Sequence, residues 1–155
     1  MTGPRGRTIE QLAELMPASA HDADAQLRQT RFRSALVRDW QIAPGARVLE
    51  IGCGQGDTTA VLADAVGPEG RVLAVDLAGG SYGSPVTLGE STRALADGPL
   101  GDRIEFRLEF DALDPANGFD DDAFDVIVLA HCTWYFASLG QLADTLRRIH
   151  PWAPR

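Results

Sequence analysis

Three glycines at alternate positions, Gly52, Gly54 and Gly56, stand between an apolar run, Arg47 to Ile51, and a helical stretch from about Thr58 to Val66. A turn this rich in glycine brings the main chain closer to a ligand than any β-carbon permits, and it leaves the first helical N–H groups free to donate. The pattern therefore fixes a strand, a tight turn and a helix in that order and marks a ligand site. Asp57 or Thr58 is the expected cap of this helix, and Gly67-Pro68 its stop.

Around this unit, strand and helix alternate, as in an α/β fold with a mostly parallel sheet. Strand two, Arg71 to Val75, ends in Asp76 and leads into the loop Gly79-Gly80-Ser81-Tyr82-Gly83. Ser84-Pro85 reads as an N-cap with proline at the first helical position, and Gly98-Pro99 ends that helix. Strand three alternates, with Ile104, Phe106, Leu108 and Phe110 on one face, which suits a rim strand wetted on the other. Phe124 to Ala130 is almost continuously apolar, which suits an interior strand. A last helix from about Leu139 to His150 is capped by Ser138 and stopped by Pro151, with Leu139, Leu142, Ala143, Leu146 and Ile149 inward. Residues 1–44 read as a helical prefix. Ile9, Leu12, Ala13 and Met16 line a first helix, and Asp22 caps a second whose inward face is Phe32, Ala35, Leu36 and Trp40. Residues 45–155 form the ligand-binding domain.

With 14 basic against 22 acidic residues the chain carries a formal charge of -8, which repels nucleic acid and anionic lipid at long range. Every basic residue is an arginine, so lysine Schiff-base and lysine general-base chemistry are excluded. No apolar run approaches the roughly 20 residues that span a bilayer, and residues 1–7 lack the apolar stretch of a secretion signal. A cytoplasmic location is the default expectation.

The acids define the guest. Dinucleotide folds carry Gly-x-Gly-x-x-Gly, but Gly54 is followed three positions on by Asp57, so the third small residue is missing. Asp57 puts negative charge at the helix start where a diphosphate would sit, and Glu50 adds another carboxylate before the turn. A nicotinamide-dependent oxidoreductase is thereby disfavoured, and a cation or a neutral ligand preferred. Asp76, at the end of strand two, can accept hydrogen bonds from the vicinal hydroxyls of a ribose, which points to a nucleoside.

Val48-Leu-Glu-Ile-Gly-Cys-Gly-Gln-Gly56, Val72-Leu-Ala-Val-Asp76, Phe110-Asp-Ala112 and Phe124-Asp-Val-Ile-Val-Leu-Ala130 together resemble the class I S-adenosylmethionine-dependent methyltransferases. The resemblance covers residues 45–150. It implies an α/β, Rossmann-like parallel sheet with flanking helices. Glu50, Gly52, Gly54 and Gly56 would surround the methionine part of the cofactor, Asp76 would hold the ribose, and Asp111 with Ala112 would meet the adenine. Cys53, Gln55, Leu77, Ala130 and His131 complete the implied S-adenosylmethionine contacts. The acceptor is expected to be a small molecule. The alternative is a cofactor-binding module that is inactive alone or regulates a partner.

Methyl transfer from a sulfonium needs mainly positioning, and a base is optional. The candidate base is His131, which follows strand four at the end of the sheet where open α/β folds hold ligands. The competing reading gives it a backbone carbonyl partner, with Trp134 and Tyr135 as wall packing. Asp120-Asp-Asp122 reads as a solvated turn and no metal site is expected; Cys53 and Cys132 read as reduced thiols. The loop from Gly79 to Ser84 reads equally as a lid or a connector. The family has seven strands and four are visible, so the chain reads as incomplete. Otherwise another chain, such as a second copy in a homo-oligomer, covers the edge of strand four.

Overall fold

Four strands, β1 (Arg47–Ile51), β2 (Arg71–Val75), β3 (Ile104–Arg107) and β4 (Val126–Val128), form one parallel sheet in the order β3-β2-β1-β4. The computed structural model describes residues 6–154. Val48 lies level with Val72 and Val126, and Val72 with Ile104. Parallel neighbours require crossover connections. Helix α3 (Asp57–Val66) links β1 to β2, and α4 (Leu88–Ala96) links β2 to β3. Two helices, α1 (Ile9–Glu14) and α2 (Ala23–Asp39), precede the sheet, and α5 (Leu139–Ile149) follows β4. The fold is the Rossmann-like α/β class expected from the sequence, with four strands among the described residues.

Alternation along the strands divides the core in two. Val48, Val72, Ala74, Val126 and Val128 pack with Leu12, Met16, Val37, Leu62 and Leu95 on one side of the sheet. Leu49, Ile51, Leu73 and Val75 pack with Phe110, Phe124, Ile149 and Trp152 on the other. There Phe119 meets Phe124 and Trp152 edge-on, with ring centroids 4.9 and 5.2 Å apart. Each fully buried aliphatic side chain contributes about 1.5–3 kcal/mol relative to exposure.

Several local expectations are corrected. In α2 the buried positions are Gln26, Thr30, Ser34 and Val37, whereas Phe32 is 54% exposed and Ala35 and Leu36 are only half-buried. The helix turns polar side chains toward α3, a helix buried from Thr58 to Val66. The cap of α3 is Gly56 at φ 90, in place of Asp57 or Thr58, because a left-handed turn residue delivers the chain into the helix. Helix α4 begins after Thr87, not at Ser84-Pro85. Thr87 and Glu90 form a reciprocal capping box that satisfies two orphan N–H groups, which Ser84 does not do. Strand β3 is a half-buried rim strand as expected, but it stops at Arg107, and Glu109 at φ 57 breaks the extended run before Phe110. Strand β4 lies at the other edge of the sheet, not in its interior. In α5 the buried residues are Thr145 and Ile149, while Leu139 is 85% and Leu146 47% exposed.

Candidate active site at the carboxyl ends of the strands

A cleft of about 530 Å³ opens where β1, β2 and β4 end. The three glycines of the turn are all in left-handed conformations, at φ 76, 54 and 90, but they serve different purposes. A β-carbon at Gly52 would run into the Cβ of Cys132, so packing excludes a side chain there, whereas one at Gly56 would require the tip of the Leu95 side chain to shift. At Gly54 nothing lies within 4 Å, and the bare backbone faces the open cleft.

Asp76 holds this turn in place. Its carboxylate accepts from Gly54 N–H at 2.8 Å and from Ala78 N–H at 2.9 Å. A carboxylate offers about four lone-pair sites, so acceptor capacity remains for ligand hydroxyls. The Gln55 side chain donates to the Val86 carbonyl at 2.5 Å, and Ser91 Oγ donates to the Gln55 carbonyl at 2.7 Å, which ties the turn to α4 and its preceding loop. Asp111 lies across the cleft, accepting from Leu113 N–H at 2.8 Å in an Asx turn, with Ala112 buried beside it.

Of the sequence-predicted residues, Gly52, Cys53, Gly54, Gln55, Asp76, Leu77, Asp111, Ala112, Ala130 and His131 line this cleft. Glu50 and Gly56 do not. Glu50 sits 1% exposed beneath the turn and accepts a 2.5 Å hydrogen bond from Thr59 Oγ1. Burial, reinforced by Asp57 and Asp76 and opposed by Thr59 and Arg33, pushes its carboxyl up to about 8, so it holds a proton at neutral pH. Cys53 and Cys132 are buried free thiols. Cys132 Sγ lies 3.3 Å from the Ile51 carbonyl, and burial pushes that thiol up to about 11. Asp120, Asp121 and Asp122 form an exposed turn ahead of β4, away from the cleft.

The prefix supplies part of the wall. Arg33 of α2 lines the cleft, and Gln26 of the same helix donates to Asp57 Oδ1 at 2.7 Å. Neither was legible as a site residue. The available signal was the spacing Gln26, Thr30, Ser34, a polar stripe at every fourth position of a helix that had to pack on something. From the other side, α5 contributes Gln141 and Thr145. His131 sits at φ 56, a left-handed conformation that is costly for a residue with a side chain. Its ring lies 5.5 Å from that of Phe32 and 6.2 Å from that of Trp134. Burial and then Arg33 push its pKa below the ordinary histidine value, against a smaller opposite pull from Asp57.

A parallel sheet with a glycine turn, an acid after the second strand and a cleft above both is the arrangement in which open α/β domains hold a ligand at the carboxyl ends of their strands. Residues 48–153 match a family described as a methyltransferase domain, and the chain belongs to that family. It is 31% identical over 113 residues to a methyltransferase of Diaporthe leptostromiformis, a match spanning 63% of this chain and 29% of that protein. It is 28% identical over 120 residues to the demethylmenaquinone methyltransferase of Symbiobacterium thermophilum, spanning 77% of this chain and 43% of the other. Among solved structures, a cyclopropane-fatty-acyl-phospholipid synthase-like protein from Lactobacillus casei superimposes with a TM-score of 0.84 at 42% identity. That alignment covers 94% of this chain and 54% of the other, so the chain spans about half or less of these relatives' lengths.

S-adenosylmethionine is the methyl donor of this family, and the cleft's own chemistry fits it. Asp57 and Asp76 outnumber the one cleft arginine, Arg33, among the described residues. An acidic site suits a sulfonium and an ammonium, and the bare Gly54 backbone leaves room for a ligand to lie against it.

Proposed function

We propose that this chain binds S-adenosylmethionine in the cleft above β1, β2 and β4 and transfers its methyl group to a small-molecule acceptor. Asp76 would receive the ribose hydroxyls, Asp111 and Ala112 would lie at the adenine, and the Gly52–Gly54 backbone with Cys53 and Gln55 would border the methionine part. Leu77 and Ala130 would add apolar contact. The arrangement of Asp76 carries this reading: its carboxylate is fixed by two backbone N–H groups, lines the cleft and keeps acceptor capacity beyond those two bonds. When bound, the cofactor supplies an electrophilic methyl carbon. The chain supplies position, a wall against water, and a proton acceptor in His131.

The formal charge of -8 supports a small acceptor over nucleic acid. No helix among the described residues is long and apolar enough to cross a membrane.

Calorimetric titration with S-adenosylmethionine, S-adenosylhomocysteine and NAD tests the cofactor. The two sulfur compounds are expected to bind and NAD to be ignored. Formation of S-adenosylhomocysteine in the presence of acceptor separates an enzyme from a module that only binds. A folded chain that ignores both sulfur compounds ends the proposal.

A further inference from the structure

Seven large apolar side chains stand exposed among the described residues, and five of them meet at the opening of the cleft above β1, β2 and β4. Leu77, Tyr82, Trp134 and Tyr135 line that cleft, and Phe32 packs on its lining residue His131. The other two, Leu139 and Leu146, belong to α5. Apolar side chains scattered singly over a surface need no explanation, but a contiguous patch of them marks a place where something docks. Four of the five are joined through His131. The Phe32 and His131 rings lie 5.5 Å apart, His131 and Trp134 6.2 Å, and Trp134 and Tyr135 6.0 Å, while the Tyr135 hydroxyl engages that of Tyr82. A ligand inside the cleft would leave part of this string in water, because Phe32, 54% exposed, is not among the residues that line the cleft.

Positive charge stands beside the string. Helix α2 carries four arginines against two acids in a chain whose formal charge is -8. Arg28 lies one turn before Phe32 and one turn before Arg31 on the exposed side of the helix, so the three side chains are neighbours. Neither Arg28 nor Arg31 makes a hydrogen bond or an ion pair among the described residues; Glu10 of α1 feels Arg31 without pairing with it.

We propose that the mouth of the cleft docks on an anionic lipid surface, with Phe32, Trp134, Tyr135 and Tyr82 entering the headgroup layer and Arg28 and Arg31 pairing with lipid phosphates. Trp and Tyr join an apolar body to a polar edge, which suits the boundary between headgroups and chains, and arginine forks match phosphate oxygens. A rigid protein partner would have to plug or bridge the cleft, whereas a fluid bilayer meets a ring of side chains without filling what it encloses. That preference for lipid rests on reading the cleft as a cofactor site. The formal charge of -8 opposes approach at long range. At physiological ionic strength charges more than about 8 Å apart are largely screened, so the arginines at the contact decide its sign.

The test is co-sedimentation of the 155-residue chain with vesicles of phosphatidylcholine alone and of equimolar phosphatidylcholine and phosphatidylglycerol. The mixed vesicles are expected to bind it more tightly, by about fivefold for each arginine engaged, and added salt should close the gap. Trp134 reports the place of contact, since Trp152 is buried and Trp40 half-buried. Tryptophan emission should move to shorter wavelength on docking, and Trp134→Phe should remove that shift in a chain that still binds. Phe32→Ser should weaken binding to both vesicles about tenfold. Replacing both arginines, Arg28→Gln with Arg31→Gln, should weaken binding to the mixed vesicles alone. Leu146→Ser, on α5 and away from the cleft, should alter neither. Retained affinity for S-adenosylhomocysteine shows that the Phe32 and arginine variants are folded. Equal affinity for the two vesicles, an unshifted emission, or an equal loss in Leu146→Ser would overturn the proposal. So would a soluble dimer that Phe32→Ser dissociates, which would make the patch a contact between copies. A chain that binds S-adenosylhomocysteine yet stays in solution with both vesicles overturns docking alone. One that docks without binding S-adenosylhomocysteine overturns the methyltransferase reading alone, and a folded chain that does neither overturns both.

Discussion

At the scale of single residues, the glycine turn joins two demands that mutation can pull apart. Gly52 is hemmed in by Cys132, so Gly52→Ala adds a collision to left-handed strain, and a loss of about 2–4 kcal/mol in denaturant unfolding is expected. Gly54→Ala meets only the strain. Its stability should fall by about 1–2 kcal/mol, while affinity for S-adenosylhomocysteine drops at least about tenfold because the added methyl occupies ligand space. Equal losses of stability in the two variants would contradict this division. Glu50 gives a pH-dependent prediction. Its carboxyl is raised to about 8 in the folded chain against an ordinary 4.5. Below 4.5 both states are protonated and its burial is harmless. As pH rises from 4.5 through 8 the unfolded chain ionises while the folded chain keeps the proton, so stability is lost. Glu50→Gln should therefore stabilise the chain by about 2 kcal/mol or more at pH 8, each tenfold change in proton affinity being worth about 1.4 kcal/mol. It should change little at pH 4.5, as thermal melts at the two pH values would show.

At the scale of elements, legibility followed the strength of local chemistry. β1, β2 and the turn between β1 and α3 were readable because apolar strands, glycines and an acid fall in a fixed order over a short span. The faces of α2 and α5 were not, because the apolar stripe of a helix names its inward side only when the whole core lies on one side of it. Polar Gln26, Thr30 and Ser34 are buried in α2, and Leu139 is exposed in α5. Ligand-lining positions that are distant in sequence, Arg33 and Thr145 among them, depend on helix docking that no local pattern encodes. The corrected face of α5 is open to measurement. Leu139→Ser should stay within about 0.5 kcal/mol of the parent, whereas Ile149→Ala should lose about 2–5 kcal/mol, since only Ile149 is buried against Trp152 and Phe124.

For the molecule as a whole, the prefix is bound to the α/β core at several points. Arg7 pairs with the buried Asp64 of α3 at 3.2 Å, Gln26 donates to Asp57, and Val37 packs in the core beside Val48 and Leu62. The same helix carries Arg33 into the cleft. Hydrogen exchange of the amides of α2 should therefore slow by about tenfold or more when the cleft is filled, and Gln26→Ala should reduce that protection. Unchanged exchange would show that α2 and the cleft behave independently. Thermodynamic reciprocity adds the converse: whatever pries α1 and α2 from their seat, be it an antibody or a competing strand, must loosen the grip on the guest by the same free energy with which the guest fastens them.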